Sequence, residues 1–184
     1  MRGYDATTLT ADDVVAAVER FNAAGIPFWV EGGWGIDALL GEQTRPHEDL
    51  DLGVRVEDVD RICAAFPEFE RSDEEWPSSF VLRDAGGRKV DCHPLTFDGN
   101  GDGWQANRTG GRPHRWPQEH LRARGRIRGI EVPCISAELQ LRWHVYPDFD
   151  DVDFEDITLL ARRFDLTLPP ECRVRPGFVA AKRG

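Results

Sequence analysis

The segment EGGWGIDALLGEQTRPHEDLDLGV, residues 31–54, sets two carboxylates, Asp49 and Asp51, one residue apart in an apolar run, shortly after a doubled glycine. On a β-strand, residues i and i+2 project to the same face. Leu50, Leu52 and Val54 would therefore turn towards a core, and both carboxylates away from it. Two like charges held side by side repel, and a divalent cation bridging them removes the repulsion. A half-exposed strand with a solvated polar face would carry the same letters, so the pair alone leaves both readings open. Gly32 and Gly33 fall between a short buried strand, PFWVEG (27–32), and the helical pattern GWGIDALLG. Such a junction lets main-chain N–H groups approach an anion at a helix N-terminus. The stretch is neither a Walker A loop nor a GxGxxG fingerprint, and a plain tight turn would use the same glycines.

The rest of the chain supplies elements around this segment. Thr10 and Asp13 form a capping pair ahead of a helix over 11–24, with Val14, Val15, Val18 and Phe21 at helical spacing and Gly25 as its stop. Residues 57–66 are helical in pattern, and SFVLRDAGGRKVDCHPL predicts two strands joined by a turn at Asp84–Gly87. Residues 98–118 contain GNGDG and TGGRP without periodicity, which predicts a functional loop, lid or mobile insertion. GRIRGIEVPCI predicts a strand or hairpin. SAELQLRWHVY predicts a helix capped by Ser136 and stopped by Pro147, FEDITLLARRF a last helix, and VRPGFVAAKRG a loosely held tail. This order predicts one α/β (α+β) domain over 1–184, a mixed sheet with helices packed mainly on one face and a C-terminal helical part at about 136–165. Strand order is not legible from it.

Charge narrows the partners. A formal net charge of −10 and a pI near 5.0 exclude a nucleic acid polymer as the expected partner, while a small nucleotide with metal ions remains compatible. No apolar run is long enough to span a membrane or to serve as a secretory signal. Cys63, Cys92, Cys134 and Cys172 lack CxxC spacing, which predicts free thiols and a cytoplasmic setting.

A further acidic residue, Asp91 in KVDCHP, sits between Val90 and Cys92, with His93 on the same side. Asp is disfavoured inside an apolar strand, so it answers to a partner: a structural hydrogen-bond network or a catalytic group. Glycine turn, DxD strand and one more strand Asp together resemble the layout of the DNA polymerase β-like nucleotidyltransferases. The stretches GGWGIDALLGEQTRPHEDLDL and VDCHP resemble those of small antibiotic nucleotidyltransferases. WQAN (104–107) and VPCISAELQL (132–141) are similar to the lincosamide nucleotidyltransferases, with aminoglycoside nucleotidyltransferases further off, and the likeness runs from about 27 to 164.

The resemblance implies a polymerase β-like fold and a role for each matching residue. Asp49, Asp51 and Asp91 would hold Mg²⁺ or Mn²⁺, two ions in all, with Asp91 as the catalytic base. Gly32, Gly33, Trp34 and Arg45 would bind the nucleotide, although many polymerase β-like enzymes carry Ser at the position of Trp34. His47, His93, Gln105 and Asn107 would be supporting or substrate residues. The implied reaction moves AMP from ATP to a hydroxyl of a small antibiotic, a lincosamide, and releases pyrophosphate; relatives imply a homodimer. An aminoglycoside or protein-hydroxyl nucleotidyltransferase, or a silent nucleotide-binding toxin–antitoxin component, remains the alternative.

Other features carry less. DFDDVDFED (148–156) lacks the mid-loop Gly and the Glu of a calcium loop, and predicts a solvated loop with an acidic first helical turn. His114, His120 and His144 have no ligand spacing, and Trp76, Trp104 and Trp116 would serve either a drug pocket or the core.

Overall fold

A computed structural model describes residues 8–145, 150–170 and 172; Pro147 and the tail VRPGFVAAKRG lie outside them. Helix α1 (Ala11–Ala23) opens on a capping box in which Thr10 accepts from the Asp13 amide and Asp13 accepts from the Thr10 amide. Strand β1 (Phe28–Glu31) passes directly into α2 (Gly32–Leu40), which Gly41 ends in the left-handed conformation at φ 82°. Strand β2 (Asp49–Arg55) follows, then a 3₁₀ turn and α3 (Val59–Ala65). Strands β3 (Glu70–Ser72), β4 (Phe80–Arg83) and β5 (Lys89–Phe97) come next. The order closes with β6 (Gly103–Gln105), β7 (His114–Trp116), β8 (Ala123–Ile127), β9 (Ile130–Cys134), α4 (Ala137–Trp143) and α5 (Asp151–Phe164).

The sheet is mixed, in the order β3-β4-β5-β2-β1-β9-β8. Central β2 is parallel to β5 and antiparallel to β1, and β1 is parallel to β9. Alternation along these strands separates two faces. Phe28, Val30, Leu50, Leu52, Val54, Val90 and Cys92 pack with Val14, Val18 and Phe21 of α1, Trp34 of α2 and Ile62 of α3 in the main core. The opposite face carries Glu31, Asp49, Asp51, Asp91 and His93 near one end and a smaller apolar cluster of Leu95, Trp116, Leu121, Ile135 and Leu139 further along. None of the four cysteines forms a disulfide, and among the described residues no helix is long and apolar enough to cross a membrane.

Two segments depart from the sequence expectation. Residues 98–118 are not an unstructured lid: β6 pairs with the far half of β5, and β7 pairs with β6. Asp102 organises this hairpin by accepting from the Gln118 amide at 2.8 Å and from Arg115 at 2.7 Å. Trp116 is fully buried against Trp143 of α4, ring centroids 4.5 Å apart. Strands of three residues separated by glycine-rich turns are too short to show a period. The acidic stretch near 150 also differs. Asp150 caps α5 and accepts from the Val152 and Asp153 amides, but Asp156, expected in solvent, is buried against Arg45.

The position of α2 depends on one close approach. A Cβ added at Gly125 of β8 would lie 2.5 Å from the main-chain carbonyl of Ala38, and backbone cannot yield as a side chain can. Gly125→Ala should therefore destabilise the protein by about 1–3 kcal/mol, the usual cost of overpacking. A lowered melting temperature in a thermal denaturation scan is the expected readout.

Candidate active site

The cross-strand register builds the site. Glu31 of β1 pairs with Asp51 of β2, which pairs with Asp91 of β5, so three carboxylates stand in one row across three adjacent strands. Asp49 lies one step along β2, opposite Lys89, and His93 lies one step along β5, opposite Gly53. Gly32 closes the row. Its φ of +60° is a left-handed conformation, and a Cβ there would collide with the Asp51 carboxylate. The glycine thus lets the N-terminus of α2 sit against Asp51.

The row is tightly charged. Lys89 Nζ lies 2.8 Å from Asp49 Oδ2 and 3.1 Å from Asp91 Oδ2. His93 Nδ1 bonds Glu31 at 2.5 Å, and its Nε2 stands 3.7 Å from Asp91 Oδ1, too far for a hydrogen bond. Burial opposes charge on the imidazole, but Glu31, then Asp51 and Asp91, outweigh it and raise the His93 pKa from 6.5 to about 9. Burial, then Asp49, push the Asp51 carboxyl well above its ordinary range, with His93 pulling the other way. Burial also disfavours the Lys89 ammonium, yet its bond to Asp49 and the charges of Asp49 and Asp91 raise its pKa.

These side chains fit a divalent cation. Ligand atoms of Asp51, Asp91 and His93 lie within 4.8 Å of one another. Asp91 Oδ1 is buried and has no hydrogen-bond partner among the described residues. A buried carboxylate oxygen without a donor is costly, and a hard cation would satisfy it. A model of the aminoglycoside-2''-adenylyltransferase family matches residues 13–160, a span that includes the whole row. The chain belongs to this family.

The adenylyltransferase is similar to a lincosamide resistance protein of Staphylococcus haemolyticus, 28% identical over 154 residues that cover 81% of this chain and 92% of that protein. A 2''-aminoglycoside nucleotidyltransferase of Escherichia coli is 37% identical over 84 residues, 44% of each chain. Among solved structures, the lincosamide antibiotic adenylyltransferase LnuA, lincomycin-bound, matches with a TM-score of 0.73 and 26% identity over 84% of this chain and 98% of that one. ANT(2'')-Ia in complex with adenylyl-2''-tobramycin shares the fold, with a TM-score of 0.66 and 24% identity over 84% and 88% of the two chains. The polymerase β-like layout expected from the sequence is thus the fold of its nucleotidyltransferase neighbours, and the protein is an antibiotic nucleotidyltransferase in kind.

The remaining sequence candidates occupy varied places in the adenylyltransferase. The Trp34 side chain points away from the carboxylates into the main core, 1% exposed and packed at a tilt against His47, so only its main chain faces the helix N-terminus. His47 is itself buried and bonded to Asp37, whose other oxygen accepts from the Thr44 amide and hydroxyl. It is a packing residue that fixes the turn over Gly33, where a Cβ would strike its ring. Arg45 reaches the same turn, but its guanidinium is bound to Asp156 at 2.8 and 3.1 Å. Gln105 and Asn107 lie together beside an open cavity of about 520 Å³ also lined by Ser78, Arg108, Arg142 and Trp143. Gln105 accepts from the Trp116 indole, and Trp116 in turn packs on Gly53, the register partner of His93. A chain of contacts through Gln105 and Trp116 thus links the cavity wall to the strand next to His93.

Glu31 and Gln140 escaped the sequence reading. Glu31 ends a buried strand just before the glycine pair, an acid where apolar residues precede it, and that placement was the available signal. Gln140 is buried beneath Gly35 and donates to the Gly32 carbonyl at 3.5 Å, a contact across 108 positions that no local pattern announces.

The pair Glu31–His93 sets a pH dependence. A folded pKa of about 9 against 6.5 unfolded means that protonated His93 stabilises the fold fully below about pH 6.5, and that this is lost as pH rises through about 9. In EDTA, the melting temperature should fall between about pH 7 and 9.5, by the equivalent of about 1–3 kcal/mol. Glu31→Gln, which removes the largest raising influence, should flatten that fall in differential scanning calorimetry.

Proposed function

We propose that the protein transfers AMP from ATP to a hydroxyl of a lincosamide antibiotic, releasing pyrophosphate and inactivating the drug. The observation that carries this reading is the in-register pair Asp51 and Asp91, with the Asp91 oxygen lacking a donor, set against the N-terminus of α2. Asp49, Asp51 and Asp91 would hold Mg²⁺ or Mn²⁺, two ions when a nucleotide is present. Bound there, the cations would neutralise the triphosphate and acidify the attacking hydroxyl.

The chain's own groups account for the remaining steps. Glu31 at the N-cap of α2 makes no side-chain bond to the first amides of the helix, which would leave them to the phosphates. The acceptor oxygen attacks the α-phosphorus as the bond to pyrophosphate breaks, and Asp91 takes the proton. His93, held by Glu31, places a positive charge beside Asp91. The cavity beside Gln105, Asn107 and Trp143 receives the drug.

Two observations favour a lincosamide over a polycationic aminoglycoside. The lincosamide resistance relative aligns over 92% of its length, against 44% for the aminoglycoside enzyme. The cavity lining also offers one carboxylate, Glu75, which Arg108 already holds at 2.8 Å, beside Arg142, which has no ion pair among the described residues. Such a lining repels a polycation.

The direct test incubates the protein with ATP, Mg²⁺ and a panel of lincosamides and aminoglycosides, and reads adenylylated drug by mass spectrometry. Turnover should stop with EDTA and return with Mg²⁺ or Mn²⁺, and Asp49→Asn or Asp51→Asn should abolish it. Asp91→Asn should lower kcat by roughly a hundredfold or more, the scale of losing a general base, while nucleotide affinity survives. Turnover near wild type in that mutant would make Asp91 structural.

A further inference from the structure

The Lys89 ammonium occupies a peculiar place. Lys89 precedes Asp91 by two positions on β5, so both project to the site face, and it stands in register with Asp49 on β2. Its Nζ contacts the Oδ2 atoms of Asp49 and Asp91 together, at 2.8 and 3.1 Å. Among the 23 Lys and Arg residues only Lys89 and Lys182 are lysines, so a compact ammonium on a flexible stem stands here in a chain that otherwise uses arginine. A divalent cation held by these two oxygens would need the place that Nζ fills. Ammonium and metal ion are therefore mutually exclusive on that oxygen pair.

We propose that Lys89 is a built-in counter-ion that holds Asp49 and Asp91 together in the metal-free protein and must be displaced for a divalent cation to bind both. The inference rests on the reading of Asp49 and Asp91 as metal ligands. Displacing the ammonium leaves a lysine without its anions, at an electrostatic cost that a metal ion alone must overcome. A nucleoside triphosphate arriving with the metal offers the freed ammonium new anionic partners. Metal and nucleotide then bind with positive coupling, and the coupling runs through Lys89.

Two effects of opposite sign set this role apart from ordinary packing. Without metal, Lys89→Met removes the ammonium that lies between the Asp49 and Asp91 carboxylates, so the melting temperature in EDTA should fall. The same variant should bind Mn²⁺ at least about tenfold more tightly than wild type, because nothing competes for the oxygens. A residue that merely packs would lower stability without tightening metal binding.

The experiment titrates Mn²⁺ into wild type, Lys89→Met and Lys89→Arg, following free Mn²⁺ by electron paramagnetic resonance, with and without a non-hydrolysable ATP analogue. Lys89→Gln replaces Lys89→Met if the latter is insoluble. Expected are tighter Mn²⁺ binding in the uncharged variant, weakened Mn²⁺–nucleotide coupling in it, and near wild-type behaviour in Lys89→Arg. If wild type binds Mn²⁺ but removing the charge leaves its affinity unchanged or weaker, the competition is absent and the inference fails alone. If wild type binds no Mn²⁺ even with the analogue, the metal-site reading fails and takes this inference with it.

Discussion

Everything at the site follows from one pairing, the parallel ladder between β2 and β5, in which Asp51 faces Asp91 and Asp49 faces Lys89. Register in a sheet has a period of two, so a slip of one residue would turn these side chains into the main core and bring Leu50, Leu52, Val90 and Cys92 out into water. The apolar alternation of both strands thus locks the carboxylates in place. Burying Leu50, Leu52 and Val90 and aligning Asp51 with Asp91 are one event seen from the two faces of the sheet.

That alignment has an electrostatic cost that the chain offsets locally. Glu31, Asp49, Asp51 and Asp91 bring four carboxylates onto three adjacent strands, with Lys89 and His93 set among them. Burial, then Asp49, raise the Asp51 pKa, and Glu31, Asp51 and Asp91 raise that of His93 against its burial. A site so arranged is pre-formed for added positive charge, which suits chemistry on a polyanionic triphosphate.

Around the glycine turn the contacts are of another kind. Trp34, His47, Asp37 and Thr44 form a buried chain on one side, Arg45 and Asp156 tie α5 to the turn on a second, and Gln140 of α4 supports it from beneath. Each reaches the turn without presenting its side chain to the carboxylates. Arg45 also shows how a motif residue changes meaning in place: its guanidinium borders Gly33, yet its charge is already engaged by a buried Asp from a helix 111 positions away.

The local code of the sequence determined the elements and the chemistry-bearing strands. Capping at Thr10 and Ser136, the glycine junction at Gly32, and period-two alternation around Asp49, Asp51 and Asp91 depend on neighbours within a few residues, and all are visible in the letters. Legible for the same reason was the shared face of Asp91 and His93. Only the tertiary structure decided strand order, the hairpin within 98–118, the burial of Asp156, and the meeting of Glu31 with His93 across 62 positions. It also placed Lys89, at a strand start, as the cation between two acids. The physical reason is common to these cases. Side-chain periodicity is a property of one strand, whereas register and long-range ion pairs arise from how separate strands slide past one another until their apolar faces coincide, and no segment read alone contains that displacement.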